Sequence, residues 1–181
     1  MNLTEKLLER EEIFQGKILH VVNDTVSLPN GKTATREVVL HNGAVCVLPL
    51  TKNKEVIVER QFRYANGRVM LEIPAGKLEK GEDPLECAKR ELEEETGLVA
   101  ETWTDLGRYI GSPAILRENI TMYLAEGLNE GKTNFDDDEF LEVTKIPLET
   151  LVQMVMNNEI EDGKTQLCIL KVAALLSQRG K

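Results

Sequence analysis

Apolar and polar positions change their period several times along the chain, and each change predicts an element. Residues 12–28 and 33–40 carry alternating and β-branched apolar positions on either side of Pro29-Asn30-Gly31-Lys32, so they predict two strands joined as a hairpin. Residues 45–50 and 55–61 are apolar or alternating runs split by Thr51-Lys52-Asn53-Lys54, and 69–73 is a short strand running into Pro74-Ala75-Gly76. The period then turns helical: Leu85, Ala88 and Leu92 form one apolar stripe between two punctuation marks. Asp83 is a good N-cap, Pro84 suits the first helical position, Glu86 completes a capping box, and Gly97 suits a terminating residue of positive φ. Strands follow at 102–109, 119–125 and 140–146, then a helix from Pro147 to about Met156 and an apolar helix from Thr165 to about Leu176. The polar, glycine-containing stretch 127–139 predicts a mobile loop. The order is α+β.

The bulk properties narrow the class. A chain of 181 residues, 41% hydrophobic and 29% charged, can bury a sizeable core, with residues 1–42 as a β-rich appendage to a main domain at 43–181. A net charge of −9 without a basic stripe argues against a nucleic-acid partner. No apolar run approaches the roughly 20 residues that span a bilayer, and the N-terminus is too charged for a signal peptide, which gives the cytoplasm as the expected compartment and no membrane partner. Cys46, Cys87 and Cys168 stand far apart in apolar surroundings and predict buried thiols. His20 and His41 have no Cys or His at ligand spacing, so structural or surface roles are expected and neither is taken as a base.

The chemistry concentrates in one segment. Between Glu82 and Glu95 there are seven acidic side chains against Lys89 and Arg90. Glutamates 91, 93, 94 and 95 crowd the C-terminal half of the predicted helix, where the dipole disfavours negative charge. Glu91 and Glu95 stand four apart, hence on one face about 6 Å from each other. Such a run alone is commonly a solvated face. Hard divalent cations offer the other reading, because magnesium is typically held by one or two carboxylates together with substrate phosphates. Arg60, Arg63 and Arg68, just upstream, are candidate bridges to an anionic substrate.

Written as a pattern, the segment is Gly76, five residues, Glu82, seven residues, Arg90-Glu91-Leu92, one residue, Glu94-Glu95, one residue, Gly97-Leu98, and it resembles the Nudix hydrolase box at every specified position. At average residue frequencies the match has a chance on the order of 10⁻⁸ at any one start, so coincidence is negligible over the whole chain. REVVLHNGAVCVLPL, VERQFRY, LEIPAGKLEKGEDP, IGSPAILREN and DDDEFLEV further resemble successive landmarks of the ADP-ribose pyrophosphatase branch, over most of residues 36–143, and Pro113 stands sixteen residues beyond Gly97 as in that branch.

This resemblance implies an α/β/α sandwich of Nudix type with a mixed β-sheet, plus an N-terminal antiparallel hairpin subdomain that mediates homodimerisation. It implies that Glu91 and Glu95 hold metal ions with the backbone carbonyl of Ala75, and that Glu94 is a further ligand or orienting carboxylate. Glu139 corresponds to the loop glutamate that acts as general base or as an extra ligand, with general base the favoured role, and Arg90 to a residue that fixes the glutamate cluster. Arg63 corresponds to the diphosphate contact, and Arg36, Glu72 and Glu118 to positions near the substrate. The implied reaction is Mg²⁺-dependent hydrolysis of ADP-ribose to AMP and ribose 5-phosphate, with Mn²⁺ as a possible substitute. The alternatives are another nucleoside diphosphate sugar, a dinucleotide, or a non-catalytic ADP-ribose sensor, and the last is disfavoured because every box carboxylate is present. Two departures bear on the pocket: Ala114 stands where the branch has glycine, and aromatic content is only 4%. Phe14, Phe62, Tyr64 and Tyr109 are the candidate platforms for adenine, with core packing as the competing role, while Trp103 lies just past the box helix.

Overall fold

A computed structural model of the chain describes residues 2–132 and 140–179. Two compact units emerge, one from the residues up to Gly43 with Ile110–Asn119, the other from Ala44–Tyr109 and the chain from Ile120 onward.

In the first unit β1 (Lys6–Gln15), β2 (His20–Ser27) and β3 (Thr33–Leu40) form an antiparallel ladder, and a two-residue strand, Leu116–Arg117 (β9 in chain order), pairs parallel with β3. The hairpin is β2–β3, closed by Leu28 N–H to Lys32 O at 2.7 Å, with Gly31 at φ 81° supplying the left-handed turn residue. The expected strand over 12–28 divides, because Gly16 N–H bonds Leu19 O and turns the chain between β1 and β2. β1 escapes a pattern-based reading because all ten of its residues are exposed, so no inside face exists to impose alternation. β2, by contrast, buries Val22, Asp24 and Val26 at period two. Asp24 accepts two hydrogen bonds from Arg10, both at 2.7 Å, which pins β1 to β2 by side chains as well as backbone.

The second unit is the sandwich. β4 (Ala44–Leu50), β5 (Glu55–Arg63), β8 (Leu98–Tyr109), β10 (Ile120–Glu130) and β11 (Leu141–Pro147) lie in the order β11-β5-β4-β10-β8, with β6 (Arg68–Glu72) paired to β5 and β7 (Ala75–Lys77) to β4. The sheet is mixed, since β10 runs parallel to β4 and antiparallel to β8. Every residue of β4 is buried because both faces are covered. Val45 and Val47 face α1 (Pro84–Thr96), while Cys46, Leu48 and Leu50 join the core under α2 (Leu148–Met156) and α3 (Gly163–Arg179). Burying those faces supplies the main favourable term, on the order of 2 kcal/mol for each large apolar side chain.

Some expectations shift at their edges, and the strand expected over 102–109 already begins at Leu98. The first residues of the expected loop over 127–139 are strand instead, because β10 keeps its ladder with β8 as far as Glu130 opposite Leu98, Gly127 being accommodated at φ 72°, and residues 133–139 of that stretch lie outside the described residues. The last helix starts at Gly163 and runs to Arg179, since Asp162 caps it, accepting from Thr165 N at 3.0 Å. Among the described residues no helix is long and apolar enough to cross a membrane.

Candidate active site

The acidic helix is held by its ends and its apolar stripe. Asp83 accepts from Leu85 N at 2.9 Å and Glu86 N at 3.2 Å, while the Glu86 carboxylate accepts from Lys89 Nζ at 2.7 Å rather than closing a capping box. Gly97, at φ 68°, returns its N–H to Glu93 O at 2.8 Å and stops the helix. Ala88 and Leu92 are fully buried, and Leu85 packs beside them against Val45, Val47 and Tyr123. With that face fixed, the glutamates have little rotational freedom.

Two of them converge on one backbone turn. Glu95, only 3% exposed, accepts the Ala75 N–H at 3.0 Å through Oε2. Glu91 passes directly over Gly76: a Cβ built on that residue would lie 1.8 Å from Glu91 Cδ. A methyl group at 76 would displace the Glu91 carboxylate, so the hydrogen side chain of glycine makes its cradle. Arg90 gathers the others, donating from Nε to Glu82 at 3.1 Å and from Nη1 to Glu94 at 2.9 Å, and ion-pairing with Glu91 at 2.8 Å. Burial opposes the Arg90 charge, but the hydrogen bond with Glu82, the charge of Glu91 and the hydrogen bond with Glu94 outweigh it and hold the guanidinium well above its ordinary value. Glu82 is in turn held low by Arg90.

Among the described residues no group of three or more His, Cys, Asp or Glu side chains is closed into a metal cage. The donor set is instead two carboxylates meeting at one turn, with Glu94 alongside, all of them oxygen ligands. That set fits a hard divalent cation that completes its shell with water and phosphate oxygens.

A second charged group lies just before the turn. Glu72, 2% exposed, accepts from Arg63 Nε at 2.7 Å and Nη2 at 2.8 Å, and from Lys164 Nζ at 2.5 Å. Burial alone would raise the Glu72 carboxyl, yet the bonds from Arg63 and the charge and bond of Lys164 hold it at about 2. Arg63 is not closed off, its side chain being 37% exposed. Lys164, Asp162 and Thr165 are absent from the sequence-based set. The readable signal was Asp162-Gly163-Lys164-Thr165 as a capped helix start, but nothing local points from that start to Glu72, ninety-two residues earlier.

Two further expected residues belong to the other compact unit. Arg36 belongs to the N-terminal unit and pairs with Glu5 at 2.6 Å, and Glu118, in the same unit, stands 3.4 Å from His41 Nδ1. Glu139 lies outside the described residues. Of the aromatic candidates, Tyr109 packs against the core, while Phe14, Phe62 and Tyr64 are exposed. Trp103 meets Tyr123 edge-on at 6.1 Å between centroids, beneath the box helix. His20 pairs with Glu12 on the surface of the N-terminal unit.

Comparison with known proteins places this geometry in a lineage. Residues 40–166 match the NUDIX domain, and residues 5–39 match the nucleoside diphosphate sugar hydrolase N-terminal domain. The chain is 44% identical over 170 residues to an ADP-ribose pyrophosphatase of Bacillus subtilis, covering 93% of this chain and 92% of that one. It is 40% identical over 167 residues to a methanol dehydrogenase activator of Bacillus methanolicus, covering 91% and 90%. In fold it is similar to a crystal structure of an ADP compounds hydrolase, with a TM-score of 0.88 at 21% identity over 99% of this chain and 98% of that one. With a complete box, a NUDIX match over most of its length and these relatives, the chain belongs to the NUDIX family and is a Nudix pyrophosphohydrolase.

Proposed function

We propose that the chain hydrolyses the diphosphate bond of ADP-ribose to AMP and ribose 5-phosphate, with Mg²⁺ as the working ion and Mn²⁺ able to replace it. The observation that carries this reading is the convergence of Glu91 and Glu95 on the Ala75–Gly76 turn. The 44% identity to an ADP-ribose pyrophosphatase supports the substrate.

Glu91 and Glu95, with the Ala75 carbonyl and Glu94, are the residues that would hold the ions. When bound, such ions supply Lewis acidity toward the diphosphate and the attacking water. Arg63 binds the diphosphate with the N–H groups it does not commit to Glu72, since a guanidinium carries five donors and Glu72 takes two. Arg90 orients Glu82, Glu91 and Glu94 without touching substrate. Glu139 receives the proton of the attacking water, and Arg36 and Glu118 contact substrate.

The enzyme works as a homodimer built on the N-terminal unit. Its support is the fully exposed β1, which presents Leu7, Leu8, Ile13 and Phe14 with more than half of each accessible. The test of substrate is a product-resolved assay with Mg²⁺ across ADP-ribose, ADP-glucose, GDP-mannose and diadenosine compounds. AMP and ribose 5-phosphate formed fastest from ADP-ribose is the expected result. Faster turnover of another nucleotide sugar or a dinucleotide would replace ADP-ribose while leaving the diphosphate chemistry standing.

A further inference from the structure

The backbone leading into the metal-facing turn is tied down residue by residue. Glu72 is gripped through its side chain by Arg63 and Lys164, Ile73 donates its N–H to Thr165 Oγ1 at 3.0 Å, and Pro74 O accepts from Val47 N at 2.8 Å. Ala75 then donates to Glu95, and Gly76 lies against Glu91. Two of these five anchors come from the first turn of α3. Asp162 organises that turn, its Oδ2 accepting from Lys164 Nζ at 3.0 Å, Thr165 N at 3.0 Å and Thr165 Oγ1 at 2.5 Å. The result is a closed group of two carboxylates and two cations, with Lys164 only 9% exposed and Thr165 wholly buried.

Docking the helix does not require this group. α3 already buries Cys168, Ile169 and Val172 in the main core. Buried ion pairs are poor stabilisers relative to apolar packing, because the desolvation cost offsets the attraction. What such a group does well is fix orientation. Burial works against the Lys164 charge, but Asp162 and Glu72 raise it, so the ammonium stays charged where it holds Glu72.

We infer that Lys164 and Thr165 are positioning residues of the active site: from the start of α3 they set Glu72, and through it Arg63, together with the Ile73 backbone that feeds the Ala75–Gly76 turn. This rests on the reading of Arg63 as the diphosphate contact. Lys164 shares Glu72 Oε2 with Arg63 and so limits how far the carboxylate can swing with the guanidinium. Thr165 relays the Asp162 cap to the Ile73 N–H through one hydroxyl that donates on one side and accepts on the other.

The test is steady-state hydrolysis of ADP-ribose by Lys164→Met, Thr165→Val, Thr165→Ser, Arg63→Ala and the Lys164→Met/Arg63→Ala pair, each checked for native circular dichroism. Lys164→Met is expected to raise KM about tenfold with kcat within about threefold, Thr165→Val to shift KM in the same direction, and Thr165→Ser to restore it. In the Arg63→Ala background the Lys164→Met change should add little, since both act through one contact. Wild-type KM in folded Lys164→Met and Thr165→Val, or losses that simply add in the double variant, would overturn the inference while a raised KM in Arg63→Ala keeps the Arg63 reading. Wild-type KM in Arg63→Ala would overturn both. Should Lys164→Met not fold, the Thr165 Val and Ser pair decides, with failure of Ser to restore KM counting against the positioning role.

Discussion

Gly76 shows how one missing methyl group makes room for a carboxylate, here the one proposed to hold a metal ion. Its added Cβ would meet the end of the Glu91 side chain rather than backbone, so Gly76→Ala is expected to fold and to push Glu91 aside. A loss of at least about tenfold in kcat/KM with a melting temperature little changed is the expected outcome, measured by kinetics and thermal unfolding on one preparation. Glu95→Gln keeps the shape but removes the charge, and a fall of about 10² or more in turnover is expected with circular dichroism unchanged. Several of these residues were legible from the chain alone, because the spacing of Glu91, Glu95 and Gly97 follows from helix geometry and cap chemistry. The need for glycine at 76 was visible only as a motif position. Its physical cause is a contact across fifteen residues, which no local pattern encodes.

The box helix depends on Asp83, and Asp83→Ala should cost about 1 kcal/mol in urea unfolding by orphaning the Leu85 and Glu86 N–H groups. The link from α3 to β6 is ionic and therefore sensitive to acid. Glu72 sits at about 2, below the ordinary carboxylate value, so its contribution is complete above roughly pH 5 and fades as pH falls through 2. Glu72→Gln should lose this pH-dependent contribution and show a flatter stability profile between pH 5 and pH 2. An unchanged profile would remove Glu72 from the acid response. The period of the hydrophobic pattern was enough to read α1, α2 and the covered strand β4, whose burial on one or both faces leaves a trace in sequence. It could not reveal β1, which buries nothing, nor the three-residue β7, whose existence depends on pairing with β4. The pairing of Lys164 with Glu72 was illegible for the same reason.

The whole molecule includes, beside this sandwich, an N-terminal unit whose outer strand exposes Leu7, Leu8, Ile13 and Phe14 among charged residues, which fits assembly through that unit. Sedimentation equilibrium should return twice the 20.3 kDa chain mass, and a monomer that is fully active at all concentrations would count against a dimer. All three thiols are buried. Burial pushes Cys87 up to about 12, while the Cys168 contact and burial raise Cys46. Native protein should therefore resist thiol reagents that titrate three groups in urea. In the proposed function Glu91 and Glu95 gather divalent cations to cleave a diphosphate. That role is tested by the initial rate of ADP-ribose hydrolysis against Mg²⁺ concentration, on chelator-stripped wild type and Glu95→Gln. The rate should be negligible without added ion, rise to saturation in wild type, and need far more Mg²⁺ to reach a much lower plateau in Glu95→Gln. Stripped protein as active as untreated protein, or a variant with the wild-type metal dependence, would contradict it.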